Sequence, residues 1–193
     1  LKSARSNRPG AFSMPERRDI MLVLKKKAKR FSIGGEIARL NRELSRLPTD
    51  TECFKFISDG SFSTICFISA VCLKTRVKSL HVSTFAIGKK EILALKALSD
   101  KGRIDYVYFL FQKRLMDYKN GYTELFEKVL SEKKWEYGDS LNHSKVLIFD
   151  TDDGKFVLET SSNLNENPRV EQFSFEKDEL LYDFYMRNLF CKS

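Results

Sequence analysis

The sequence predicts an α/β (α+β) fold in which a mixed β-sheet is flanked by helices. Three observations predict it. From residue 52 onward, short runs rich in β-branched and aromatic residues (CFKFIS, SLHVSTFAI, IDYVYFLF) alternate with longer segments of helical period. The 193 residues are 42% hydrophobic, enough to close a sizeable core in one domain. Two apolar runs are joined through TDDG, a tight hairpin connection.

Residues 1–14 read as a basic arm, and Ser13 before Pro15 and Glu16 can open a helix. The run MLVLKKKAKR fits either a helix or a strand. In residues 36–47, Ile37, Leu40, Leu44 and Leu47 recur at helical spacing, with Arg39, Arg42, Glu43 and Arg46 between them. That is an amphipathic helix with a basic outer face, ended by Pro48. CFKFIS is a short strand. Ser61 or Ser63 can cap the next helix, about 62–74, which is apolar on most sides and so deeply buried. SLHVSTFAI reads as a strand, KKEILALKALSDKG as an amphipathic helix closed by Gly102, and IDYVYFLF as a second buried strand. Residues 122–134 form a helix with Leu125, Phe126, Val129 and Leu130 inward. Residues 144–150 and 155–160 form a hairpin, and the acidic, aromatic segment 176–190 is expected to be helical. There is no internal repeat and no low-complexity tract.

Charge divides the chain at about residue 50. Residues 1–50 hold 13 Lys or Arg against 5 Asp or Glu, while the remainder holds 21 of each sign. The whole net charge of +8 therefore belongs to the N-terminal segment, which can attract a polyanion through phosphate contacts. The organisation expected is a basic arm and amphipathic helix over 1–50 and a globular domain over 51–193. The spacings of Cys53, Cys66, Cys72 and Cys191 match no zinc pattern, so free thiols, a reducing cytoplasmic setting and no metal or other cofactor are expected. No run approaches the roughly 18 apolar residues needed to cross a membrane, and the start, LKSARSNRPGAFS, lacks the apolar core of a secretory signal.

The chain has two histidines. His81 lies mid-strand among apolar residues and reads as a core histidine. His143 opens HSKVLIFD, two residues before Lys145, so period-2 spacing puts both side chains on one face. Asp150 ends that run. The hairpin then returns TSSNLNENPRVEQ, bringing Ser161, Ser162, Asn163, Asn165 and Glu171 back beside His143 and Lys145. An imidazole, an ammonium, hydroxyls and a carboxamide on one edge, with a carboxylate nearby, suit a phosphate. Lysine and asparagine bind its oxygens, and histidine attacks phosphorus or moves a proton.

This stretch resembles the signature of the phospholipase D superfamily, H-x-K-x4-D followed by G-S-x-N. His143, Lys145 and Asp150 fit the first half, and Ser161 and Asn163 the second. Glu171 falls where the family often has a glutamate that orients the histidine. Thr160 stands in place of the glycine, and the hairpin between the two halves is longer than the family's. The resemblance covers residues 143–172, and it implies a phospholipase D-like half-domain.

It also implies a metal-independent phosphodiesterase working through a phosphohistidine, with His143, Lys145, Asn163 and Glu171 catalytic. Ser161, Ser162 and Asn165 would bind substrate, and Asp150 would be structural. The family's reaction uses two such motifs and this chain carries one, so a homodimer with a shared site is implied. The basic arm points to nucleic acid as substrate, hence a nuclease. The alternatives are a lipid phosphodiesterase and a non-catalytic module that binds nucleic acid or protein.

Overall fold

The computed structural model describes residues 19–24, 38, 40–58, 60, 62–112, 121–165 and 169–191. The first 14 residues, Ser13 with the helix start read there, and the basic run after Leu24 lie outside them.

The described elements run β1 (Asp19–Leu24), β2 (Glu52–Ser58), α1 (Thr64–Cys72), β3 (Val77–Thr84), α2 (Lys89–Asp100), β4 (Ile104–Gln112) and α3 (Gly121–Lys133). They continue with β5 (Glu136–Ser140), β6 (Val146–Thr151), β7 (Gly154–Thr160), β8 (Glu171–Lys177) and α4 (Glu179–Tyr185). A π-helical turn (Met186–Phe190) follows. The strands form one mixed sheet in the order β1-β2-β8-β7-β6-β3-β4-β5. Pairs β1–β2, β3–β4 and β4–β5 are parallel, and β2–β8, β8–β7, β7–β6 and β6–β3 are antiparallel.

Alternation along the strands sorts the apolar side chains between two faces. On one face Phe54, Phe56, Leu80, Val82, Leu147, Phe149, Leu158, Phe173 and Phe175 share a cluster with residues of α1, α2 and α3. On the other, Leu110, Val146, Ile148 and Val157 meet Tyr182 of α4 and Phe190 of the π-helical turn. The central strand β6 is covered on both sides, which explains its unbroken apolar run VLIF. Every residue of α1 is buried, as a helix without a polar face requires. Its Phe67 stacks on Phe173 (5.9 Å, 9°) and meets Phe56 and Phe175 edge-on.

Several expectations shift. Residues 176 and 177 end β8 rather than starting a helix; Asp178 caps α4 by accepting from Leu181 N–H at 3.0 Å. Ser63 occupies the cap position of α1 without a side-chain cap bond. The helix read over 36–47 is described at residues 38 and 40–43, with Leu40 and Leu44 buried in the core. Arg46 leaves that core to pair with Glu52 at 2.5 Å. Within the first 50 residues, Asp19–Leu24 forms an edge strand of the sheet. The hairpin turn TDDG is present, with Gly154 at φ +122°. Cys53, Cys66, Cys72 and Cys191 are free thiols. No described helix is long and apolar enough to cross a membrane.

Candidate functional site at one end of the sheet

The strand directions gather chain ends at one edge of the fold. β2, β3 and β7 finish there, and β6 and β8 begin there. Register pairs Ser58 with Glu171, Ser83 with Val146, and Val146 with Glu159. Thr160 continues that ladder by donating its N–H to the Lys145 carbonyl at 3.1 Å. Lys145, Thr84, Thr160 and Glu171 therefore come to one end of the sheet.

His143 and Lys145 lie just ahead of β6 rather than within it. His143 is exposed, and the Lys145 ammonium donates to its carbonyl at 3.1 Å. The residue before His143 holds the segment. Asn142 is buried, and its Nδ2 donates to Ser83 Oγ (2.7 Å) and to the Leu110 carbonyl (3.3 Å). Its Oδ1 accepts from Ser144 N–H (2.9 Å) and Ser144 Oγ (2.6 Å). One carboxamide thus ties the His143 segment to the ends of β3 and β4.

The loop after β7 is fastened to the β3–α2 connection. Leu164 N–H donates to Thr84 Oγ1 (3.0 Å), and Gly88 N–H donates to the Leu164 carbonyl (2.9 Å). Thr64, in the first turn of α1, donates its hydroxyl to the Asn163 carbonyl at 3.2 Å. Asn163 accepts the Phe85 N–H on its Oδ1 at 3.3 Å, which commits the oxygen and leaves Nδ2 as the donor for a ligand. The ring of Phe85 packs on His143, with centroids 5.1 Å apart and planes inclined by 50°. Phe85 thus connects the His143 segment to Asn163.

The Glu171 carboxylate accepts the Ser161 hydroxyl, and Ser161 Oγ in turn accepts Gln172 N–H at 3.1 Å. Ser162 differs from expectation. It is 2% exposed and its hydroxyl donates to the Asn163 carbonyl at 3.1 Å, so it shapes the turn rather than presenting a group to substrate. Asn165 is half-buried against Gly88, the residue before α2. A Cβ at position 88 would meet Glu91 Oε2 at 2.2 Å, so any other residue there makes the Glu91 carboxylate shift. Asp150 lies at the far end of β6, in register with Ser79 and Lys155, away from His143.

His81 belongs to the opposite face. Its ring packs among Tyr106, Tyr108 and Phe190, and burial pushes its pKa down to about 4 against the pull of Asp150. Burial pushes the Cys72 thiol up to about 12, which keeps it protonated at neutral pH. Asn142, Ser83, Ser144 and Phe85 were not singled out from the sequence. Polar residues beside the H-x-K run were the only signal, because their roles depend on strands far apart in the chain.

No family model matches the chain, and no curated protein matches it. Solved structures do. A polyphosphate kinase from Porphyromonas gingivalis aligns with a TM-score of 0.55 at 11% identity, over 76% of this chain and 28% of that one. A yeast tyrosyl-DNA phosphodiesterase aligns with a TM-score of 0.37 at 12% identity, over 51% of this chain and 25% of that one. The chain thus spans about a quarter of the length of the proteins it resembles. The likeness to the kinase, at a level that speaks to architecture alone, shows a shared fold: one mixed sheet with flanking helices.

Proposed function

We propose that the chain is one half of a metal-independent phosphodiesterase, a nuclease, acting through a phosphohistidine in a site shared by two copies. The observation that carries the reading is the convergence of His143, Lys145, Asn163 and the Ser161–Glu171 pair at one end of the sheet. Lys145 and the Asn163 amide group bind the phosphate oxygens and neutralise their charge. His143 attacks phosphorus, forming a P–N bond as the P–O bond to the leaving group breaks. The partner subunit's His143 donates the proton that the leaving alkoxide takes up. It then withdraws a proton from water as the water oxygen displaces His143 from phosphorus. Glu171 acts with Ser161 as a positioning group beside this chemistry.

The second copy enters the reading because residues 1–193 carry a single H-x-K run and no internal repeat. Exposed apolar residues at the same end of the sheet favour it too: Leu141 is 87% exposed and Val170 70%. The net charge of +8 favours a polyanionic substrate.

The test is incubation with plasmid DNA, RNA and a chromogenic phosphodiester in EDTA, beside a His143→Ala control. Cleavage that persists in EDTA and disappears in the variant is expected. Dependence on an added divalent ion, or equal activity in the variant, rejects the mechanism. Binding of nucleic acid without cleavage favours a non-catalytic module, and preference for liposomes favours a lipid substrate.

A further inference from the structure

Resting on that reading of the site, we infer that Phe85 is the platform on which an unpaired nucleobase stacks beside the scissile phosphate. The substrate class is therefore single-stranded nucleic acid.

The ring is in an unusual place for a phenylalanine. Phe85 follows β3 directly, with its ring packed on His143 and its N–H bonded to Asn163, and it still remains 38% exposed. A phosphate and its ester oxygens call for charge and hydrogen-bond donors, which Lys145 and Asn163 provide. They give no use for an exposed aromatic ring. The group that would use it is attached to the phosphate.

Three features choose the class. Phe85 is fixed at its backbone, because its N–H is held by the Asn163 carboxamide. A substituent resting on the ring is thereby registered to the group that binds the anion. Exposed Lys89 and Lys90 follow four and five residues later, in the first turn of α2, so the chain segment that carries the ring also carries cations. An aromatic platform on a segment that also carries lysines, in a chain with a net charge of +8, matches the chemistry of a strand whose bases stack while its phosphates are neutralised. A base held within a duplex is already stacked on its neighbours and is not free to lie on the ring. An acyl chain would need a continuous apolar path, whereas this ring packs on the His143 imidazole and its backbone N–H is held by the polar Asn163.

The experiment uses the full chain and two single-stranded oligonucleotides with the same number of phosphates. One carries thymine throughout, and the other carries abasic tetrahydrofuran residues. Binding is read by fluorescence anisotropy and cleavage by gel, for wild type, Phe85→Leu and Phe85→Trp. Wild type should favour the base-bearing strand by about five-fold or more, the lower end of what one base–aromatic stack contributes. Phe85→Leu should bring that ratio close to one, and Phe85→Trp should keep it. Should Phe85→Leu fail to fold, a 2-aminopurine base in the strand gives a second reading on wild type. Stacking on Phe85 quenches its fluorescence on binding, and Phe85→Trp changes the degree of quenching.

Equal affinity of wild type for both strands overturns the inference, as does an unchanged ratio in Phe85→Leu. A loss of dimer by sedimentation in Phe85→Leu, with the base preference intact, also overturns it and assigns the ring to contact with a second copy. The two readings fail separately. A base preference that depends on Phe85 without any cleavage retains the platform and rejects the phosphodiesterase. Cleavage of both strands at equal rates does the reverse.

Discussion

Replacing Asn142 by alanine tests whether the sheet holds the His143 segment in place. The Asn142 side chain is 5% exposed and engages Ser83, Leu110 and Ser144 through four hydrogen bonds. Each such bond contributes about 1 kcal/mol net, and a buried group left unpaired costs about 1–3 kcal/mol. The alanine variant would not lose the full sum. The Ser83 and Ser144 hydroxyls lie 2.6 Å apart and retain each other. What remains exposed to the loss is the Ser144 N–H and the contact to the Leu110 carbonyl. The expected destabilisation is about 2–3 kcal/mol, or a fall in Tm of about 5–10 °C for a chain of this length. Urea unfolding measures the first quantity. Native-state amide exchange measures the local one, where the Ser144 amide should lose protection beyond the global change. A loss below about 1 kcal/mol, or a Ser144 amide protected as in wild type, would show that the carboxamide is not what holds His143.

Three further outcomes are expected. The His81 pKa is lowered by burial from 6.5 to about 4, so between those values the unfolded chain binds the extra proton and the folded chain does not. Stability should fall as pH drops from about 6.5 towards 4; in His81→Phe the urea midpoint should change less between pH 7 and pH 5, and equal slopes in the two proteins would refute the assignment. Phe67→Ala removes a ring packed against Phe56, Phe173 and Phe175 and should cost about 3–5 kcal/mol by chemical denaturation; a cost under about 1.5 kcal/mol would mean that α1 repacks freely. For a shared site, mixing His143→Ala subunits with wild type should reduce activity more than in proportion to the mutant fraction. A strictly linear decline after subunit exchange would instead show that each chain works alone.

The parts of this fold legible in the sequence are those whose pattern is local. α2 follows from its period and Gly102, the β6–β7 hairpin from TDDG, and α1 from an apolar run too uniform for a surface helix. β5 was not legible: EYGDS has a glycine, two acids and no alternation of apolar residues, and it is a strand because β4 offers it a parallel edge. β8 alternates well in EQFSFEK, yet it was absorbed partly into the polar return and partly into the C-terminal helix. Its partners, β2 and β7, are what define it. At the site, the spacing of His143, Lys145, Ser161 and Asn163 carries the chemistry visibly. The burial of Ser162 and the grip of Asn142 on Ser83 and Leu110 do not show, because they arise where β3 and β4 meet a segment some 30 to 60 residues later.

The place of β2 in the sheet has a consequence for how the protein is made. Its two neighbours are β1, which precedes it, and β8, whose residues lie more than a hundred positions downstream; the Cys53–Ser174 contact spans 121. On a ribosome adding about 5–20 residues per second, β2 waits on the order of ten seconds for its antiparallel partner. For that interval Phe54 and Phe56 lack the antiparallel strand whose Phe173 and Phe175 lie opposite them, and a long backbone edge is unclaimed. The nascent chain is then most vulnerable to aggregation and to chaperone capture, and release of β8 from the exit tunnel should end that window.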